Sequence, residues 1–173
     1  MLIQEKFVPT SEELWVIEFI KSSSFPWFFQ EATSYSFPFF GHTLMSREKS
    51  NLPEEGIINS DYFEPCINIF KRYCKLNNIM FSKILRACIN HTGYDPRPQS
   101  ELHTDHPFPH NVFLYYLNTF DNGQLIVHDQ GTNQTPSVLI PSEFDVILFS
   151  DALHAINFCN LKQRRLVLVV TFI

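Results

Sequence analysis

The four cysteines of this 173-residue chain (Cys66, Cys74, Cys88 and Cys159) show no CxxC or CxxH spacing, so neither a zinc ribbon nor a redox dithiol is encoded. Cys66 and Cys74 lie eight residues apart in a helical stretch, which holds them too far apart to bridge, and buried free thiols in a reducing compartment are expected. No window approaches the ~20 consecutive apolar residues of a membrane span. The N-terminus, Met1-Leu2-Ile3-Gln4-Glu5-Lys6, lacks the basic start and apolar run of a signal peptide. No basic cluster exceeds Arg164-Arg165 and the net charge is −5, which disfavours a nucleic-acid partner. These absences predict a soluble, cytoplasmic chain with no membrane partner. Repeats and interdomain linkers are missing as well, so residues 1–173 are expected to form a single domain, long enough to bury a core without disulfides.

Aromatics are abundant, with 18 phenylalanines, enough to fill a core and also to line a groove. Residues 1–80 read as helical and irregular support. Thr10 with Glu13 forms a capping box that opens a helix through about Lys21, and Ser22-Ser23-Ser24-Phe25-Pro26 ends it. A second helix is expected from Asp61 as cap, with Phe63, Ile67, Phe70 and Cys74 on one apolar stripe and Asn77-Asn78 as its end. From residue 81 onward the pattern changes to short strands, near 81–90, 101–105, 111–118, 123–128, 136–140, 144–150, 154–158 and 164–172. Turn signals at Asp95-Pro96, Asp121-Asn122-Gly123, Gly131-Thr132-Asn133 and Pro141-Ser142 separate them. The predicted fold is mainly β with supporting helices (α+β), a jelly-roll barrel over 81–173 buttressed by N-terminal helices.

Within that barrel, His103-Thr104-Asp105 and His154 form a candidate metal site. Side chains two apart on a strand point the same way, so His103 and Asp105 can reach one ion while a second strand supplies His154. Two imidazoles and one carboxylate make a facial triad that suits Fe(II) and leaves positions open. Arg164, ten residues beyond His154, is a candidate clamp for the far carboxylate of a bidentate organic acid. By strand alternation it shares a face with Leu166, Leu168 and Val170, with Arg165 opposite. A guanidinium aimed into an apolar barrel requires an anion; the alternative is that both arginines solvate a strand edge.

The chain resembles phage-type and prolyl-hydroxylase-like members of the Fe(II)/2-oxoglutarate-dependent dioxygenase superfamily. The matching stretches run in family order: Pro26-Trp27-Phe28-Phe29, Phe40-Gly41-His42, Leu85-Arg86-Ala87-Cys88-Ile89-Asn90, His103-Thr104-Asp105, Tyr115-Tyr116-Leu117-Asn118 and Phe149-Ser150-Asp151-Ala152-Leu153-His154. The resemblance implies a double-stranded β-helix, a catalytic iron held by His103, Asp105 and His154, and 2-oxoglutarate and O2 as co-substrates. It also implies that Tyr116 helps Arg164 bind the distal carboxylate and that Asn90 lies beside the co-substrate. From the residues alone, Tyr116 reads equally as a core tyrosine satisfied by backbone. Asp105 leaves no vacancy for a halide, so hydroxylation rather than halogenation is expected. Where the family often carries two glycines after the Tyr-Tyr-Leu-Asn strand, this chain has Asp121-Asn122-Gly123, and the usual proline after the second histidine is absent. His91, His106, His110 and His128 are expected to be surface or supporting groups.

The expected reaction is hydroxylation of a C–H bond in a peptide, protein side chain or amino-acid-like substrate, with release of succinate and CO2. Two alternatives stand beside it: a non-catalytic metal- or 2-oxoglutarate-binding barrel acting as a sensor or structural module, and a cupin-like protein using another metal without a co-substrate.

Overall fold

The computed structural model describes residues 1–31, 37–47, 52–128 and 135–173. Among these, two helices and eleven strands follow in the order β1 (Leu2–Lys6), α1 (Ser11–Lys21), β2 (Phe28–Gln30), β3 (Phe39–Ser46), β4 (Ile57–Ile58), α2 (Phe63–Leu76), β5 (Ile84–Thr92), β6 (Asn111–Tyr116), β7 (Leu125–His128), β8 (Ser137–Leu139), β9 (Asp145–Ser150), β10 (Leu153–Ile156) and β11 (Arg165–Phe172). The large antiparallel sheet runs β1-β9-β6-β11-β5-β3-β2, with β4 paired to β3; the small one runs β10-β7-β8. The expected turn at Gly131-Thr132-Asn133 lies outside the described residues.

Helix α1 begins as its sequence dictates. The Thr10 side chain accepts from the Glu13 amide and the Glu13 carboxylate accepts from the Thr10 amide, closing the capping box. Glu13 is also buried against Arg72 of α2, whose guanidinium meets both its oxygens at 2.6 and 2.7 Å and lies 3.9 Å from the Phe7 ring centroid. Glu13→Ala therefore removes a cap and strands a partly buried guanidinium. A loss of about 2–3 kcal/mol is expected, measurable by urea denaturation, and Glu13→Gln should recover part of it. Helix α2 differs from expectation at its start: Tyr62, not Asp61, occupies the cap position, and no side chain caps it. Its end is as expected. Asn78 takes a left-handed conformation at φ 53° and the Ile79 amide reaches back to the Cys74 carbonyl at 2.9 Å, a Schellman closure.

Residues 1–80 are not only helical and irregular, for they contribute four strands. Strand β1 carries mostly exposed side chains, and its place at the sheet edge rests on backbone pairing to β9 from Leu2↔Phe149 to Lys6↔Asp145. An edge strand held this way shows no apolar alternation for a sequence reading to detect. Strand β3 pairs with β5 and so extends the barrel on the other side. In the opposite sense, residues 101–105 do not form a strand; His103 makes a single bridge to His154. At the β6–β7 connection, Asn122 (φ 65°) and Gly123 (φ 73°) are both left-handed, as the Asp-Asn-Gly signal predicts.

Strand β11 explains how the molecule is layered. All eight of its residues are buried. Leu166, Leu168, Val170 and Phe172 join Ile17, Ile20, Ile67 and Phe70 in the core under the helices. Val167 and Val169 face the opposite way, with Val112, Leu114, Tyr116, Leu125 and Val127 between the two sheets. A strand covered on both faces reads as a continuous apolar run, so its alternation does not by itself say which face looks at the helices. The four cysteines are free and buried. Burial pushes the Cys66 and Cys74 thiols up to about 12, leaving them unreactive.

Candidate metal centre and co-substrate pocket

Between the sheets lies a cavity of about 380 Å³. His103, Asp105 and His154 meet at its wall, one potential ligand atom from each lying within 4.8 Å of the others. The backbone assembles the pair of histidines directly: the His103 amide donates to the His154 carbonyl at 3.0 Å and the reciprocal bond is 2.9 Å, bringing the rings to 4.5 Å between centroids. Each ring then places Nδ1 on a carbonyl two residues earlier, His103 on Glu101 and His154 on Ala152, both at 3.1 Å. A carbonyl only accepts, so Nδ1 carries the proton in each ring and Nε2 presents its lone pair. The Asp105 carboxylate closes the group, 3.7 Å from His154 Nε2.

The electrostatics favour a cation here. Burial lowers the His154 pKa despite the neighbouring carboxylate, which keeps the ring neutral and able to ligate near neutral pH. Burial works to raise the Asp105 carboxyl, but the His154 ring, the Arg86 guanidinium and the His103 ring outweigh it and hold it below the usual range. The result is two imidazoles and one carboxylate on a shared cavity, the donor set that suits Fe(II) with open coordination positions.

The arginines fall differently from the sequence expectation. Arg164 does not enter the cavity: it lies just outside β11 and donates through Nη2 to the Lys21 carbonyl at 2.8 Å, at the C-terminus of α1. Arg165 does enter. It is buried, lines the cavity, donates through Nη2 to the Tyr116 hydroxyl at 3.2 Å and sits 5.0 Å from the Tyr116 ring centroid, while its Nε has no hydrogen-bond partner among the described residues. Arg164 and Arg165 lie on opposite sides, as alternation predicts, but the faces are exchanged. Register decides it, since Val167 pairs with Tyr116 and directly opposed residues share a face. Tyr116 thus accompanies Arg165, not Arg164. Asn90 also lines the cavity, its Oδ1 3.4 Å from the Cys88 thiol.

Two more arginines, Arg86 and Arg47, stand in the wall, and only Arg47 has no signal in the sequence. Arg86 on β5 approaches Asp105 Oδ1 at 3.5 Å, and Arg47, just after β3, donates to the Asp105 backbone carbonyl at 2.7 Å. Arg86 sits within the Leu-Arg-Ala-Cys-Ile-Asn stretch on the face of Asn90, which is the signal that pointed to it. His106 and His110 are buried rather than superficial: His106 Nε2 hydrogen-bonds Thr171 Oγ1 at 2.8 Å and His110 Nδ1 donates to the Phe108 carbonyl at 2.8 Å.

No family model matches this sequence, and no curated protein matches it. Solved structures do. An oxidoreductase of the 2OG-Fe(II) oxygenase family from Burkholderia pseudomallei superposes with a TM-score of 0.72 at 19% identity, over 99% of this chain and 84% of that one. A Pseudomonas putida prolyl-4-hydroxylase gives 0.65 at 14% identity, over 99% of this chain and 91% of that one. A Trichoplax adhaerens prolyl hydroxylase, in complex with a hypoxia inducible factor oxygen degradation domain peptide fragment, gives 0.63 at 16% identity, over 99% and 82%. Over nearly its whole length, the chain has the double-stranded β-helix fold of the 2OG-Fe(II) oxygenases.

Proposed function

We propose that the protein is an Fe(II)- and 2-oxoglutarate-dependent oxygenase that hydroxylates a C–H bond of a peptide or amino-acid-like substrate. The observation that carries this reading is Arg165: a buried guanidinium with an unpartnered Nε, facing the cavity that His103, Asp105 and His154 also line. An unpaired buried charge is costly, and an anion in the cavity removes the cost. Arg165 and the Tyr116 hydroxyl would hold the 5-carboxylate of 2-oxoglutarate, with Asn90 beside its chain. His103, Asp105 and His154 would hold the iron. Iron, 2-oxoglutarate and O2 together supply oxidative decarboxylation coupled to C–H oxidation: one 2-oxoglutarate, one O2 and one R–H become succinate, CO2 and R–OH.

The protein's own part is to position these groups and keep water out. Leu114, Leu125, Ile156 and Val169 make the inner wall apolar, which strengthens each charged contact inside. The similarity to a prolyl-4-hydroxylase and to a peptide-bound prolyl hydroxylase supports a peptide or amino-acid-like substrate. Oxygen-dependent formation of succinate from 2-oxoglutarate by the iron-loaded protein tests the proposal. Succinate should appear under air and not under argon. Binding of iron and 2-oxoglutarate with no succinate under air, in the presence of candidate substrates, would make the molecule a sensor or structural barrel instead.

A further inference from the structure

Two stretches singled out in the sequence, Pro26-Trp27-Phe28-Phe29 and Phe40-Gly41-His42, have no part in the metal centre, yet they meet each other. His42 pairs with Ile89 and faces the helix side of the large sheet, whereas its neighbour Gly41 pairs with Asn90 of the cavity wall. The buried His42 ring makes two hydrogen bonds, Nδ1 with the Pro26 carbonyl at 2.8 Å and Nε2 with Ser60 Oγ at 2.7 Å. A carbonyl only accepts, so in the neutral ring Nδ1 carries the proton and Nε2 offers its lone pair. The short contact with Ser60 is then donated by the hydroxyl, and the serine proton points at an imidazole base. Phe25, Phe28 and Tyr62 pack around the ring, their centroids 4.9, 5.6 and 5.5 Å from its own, and hold it in one orientation. Ser60 itself is half-buried, in a surface cleft also lined by Phe28, Asn59, Asp61 and Tyr62.

We infer that Ser60 and His42 form a second, metal-independent active site, which hydrolyses small neutral carboxylic esters through an acyl-serine. It lies across the large sheet from the metal centre and does not rest on the oxygenase reading. A serine hydroxyl becomes a nucleophile when a histidine within hydrogen-bond reach takes its proton and a third group fixes the histidine tautomer. Here the third group is the Pro26 carbonyl. Ser60 Oγ bonds to the ester carbonyl carbon as its proton passes to His42 Nε2. The bond from that carbon to the alcohol oxygen then breaks, and the alcohol leaves with the proton from Nε2. Water next attacks the acyl-serine, giving a proton to Nε2 and its oxygen to the acyl group; Ser60 recovers the proton and the acid departs. The Tyr62 amide donates to Ser60 Oγ at 3.1 Å and so supports negative charge developing there. The first turn of α2, where no side chain acts as cap, supplies further N–H groups for the oxyanion. Phe28 and Tyr62 give the cleft apolar walls, and the exposed Asp61 carboxylate beside the nucleophile repels anionic esters. A carbonyl holds the tautomer but adds no negative charge to steady the imidazolium, so turnover should be slower than with a carboxylate in its place.

The test treats the full chain, with and without EDTA, with an alkyl fluorophosphonate, which reacts with activated serines, and maps the adduct by mass spectrometry of the digested protein. Hydrolysis of p-nitrophenyl acetate is followed in parallel. One adduct should form, on Ser60, at the same rate with EDTA present. Ser60→Ala should lose both the adduct and the ester hydrolysis above that of the urea-denatured chain, with its melting curve unchanged. His42→Gln should slow labelling at least about a hundredfold, the contribution of a positioned general base. Should His42→Gln fail to fold, the position of the adduct and the Ser60→Ala rates decide the matter. An adduct on another residue, labelling no faster than in the denatured chain, or dependence on metal would each overturn the inference. So would ester hydrolysis at the wild-type rate in Ser60→Ala, or labelling at the wild-type rate in folded His42→Gln. In any of these cases His42 only staples the Pro26 segment to the start of α2.

Discussion

Arg165→Leu is expected to weaken 2-oxoglutarate binding by at least about a hundredfold, while the ligand-free protein stays as stable as wild type or becomes more so. The two halves of this result have one cause. Without a ligand, Arg165 is a buried cation whose Nε has no hydrogen-bond partner among the described residues and whose guanidinium donates to a phenol hydroxyl. Such a group costs stability until an anion arrives, and an apolar side chain of similar size is often neutral or better. With the dicarboxylate bound, the same guanidinium makes charge-assisted hydrogen bonds worth roughly 1.5–3 kcal/mol each, and two of them exceed a hundredfold in affinity. Arg164→Ala should do the reverse, leaving 2-oxoglutarate affinity unchanged and costing only the contact with the Lys21 carbonyl. Calorimetric titration with 2-oxoglutarate on the metal-loaded proteins, together with melting curves of the ligand-free ones, separates these outcomes. Equal losses in both variants would refute the face assignment.

Asp105→Ala should abolish both iron binding and succinate formation. Asp105 would supply the single anionic ligand, and the two imidazoles left behind bring no negative charge to hold a divalent cation. In the wild type, metal at a hundred times its Kd stabilises the fold by about 2.7 kcal/mol, a rise in Tm of roughly 5–10 °C for a chain of this size. Asp105→Ala should show no such rise. A full metal-induced shift in that variant would mean the cation binds elsewhere.

How much of this could be read from residues alone follows from which interactions are local. The α1 capping box involves Thr10 and Glu13, three residues apart, and the end of α2 at Asn77-Asn78 is equally local, so both were legible. The His103–Asp105 pair was legible because its spacing is short and its chemistry distinctive, whereas His154 lies 49 positions beyond Asp105 and joined it only on chemistry and order in the chain. The face of β11 was not. Both its faces are apolar, one meeting helices and the other the cavity, so the choice between Arg164 and Arg165 hangs on the pairing of Val167 with Tyr116, a contact 51 positions apart in the chain. Strand β1 escaped for another reason: an edge strand held by backbone bonds needs no apolar pattern. Arg47 joins the site only because β3 pairs with β5, which nothing near residue 47 announces.

The most direct test of the central claim is an anaerobic titration of the metal-free protein with Fe(II) and then 2-oxoglutarate, followed by visible absorption. A weak charge-transfer band should grow in only when both are present, persist in Arg164→Ala, and vanish at matched concentrations in Arg165→Leu and Asp105→Ala. Iron binding without the band in the wild-type protein, or a band unaffected by Asp105→Ala, would contradict the account.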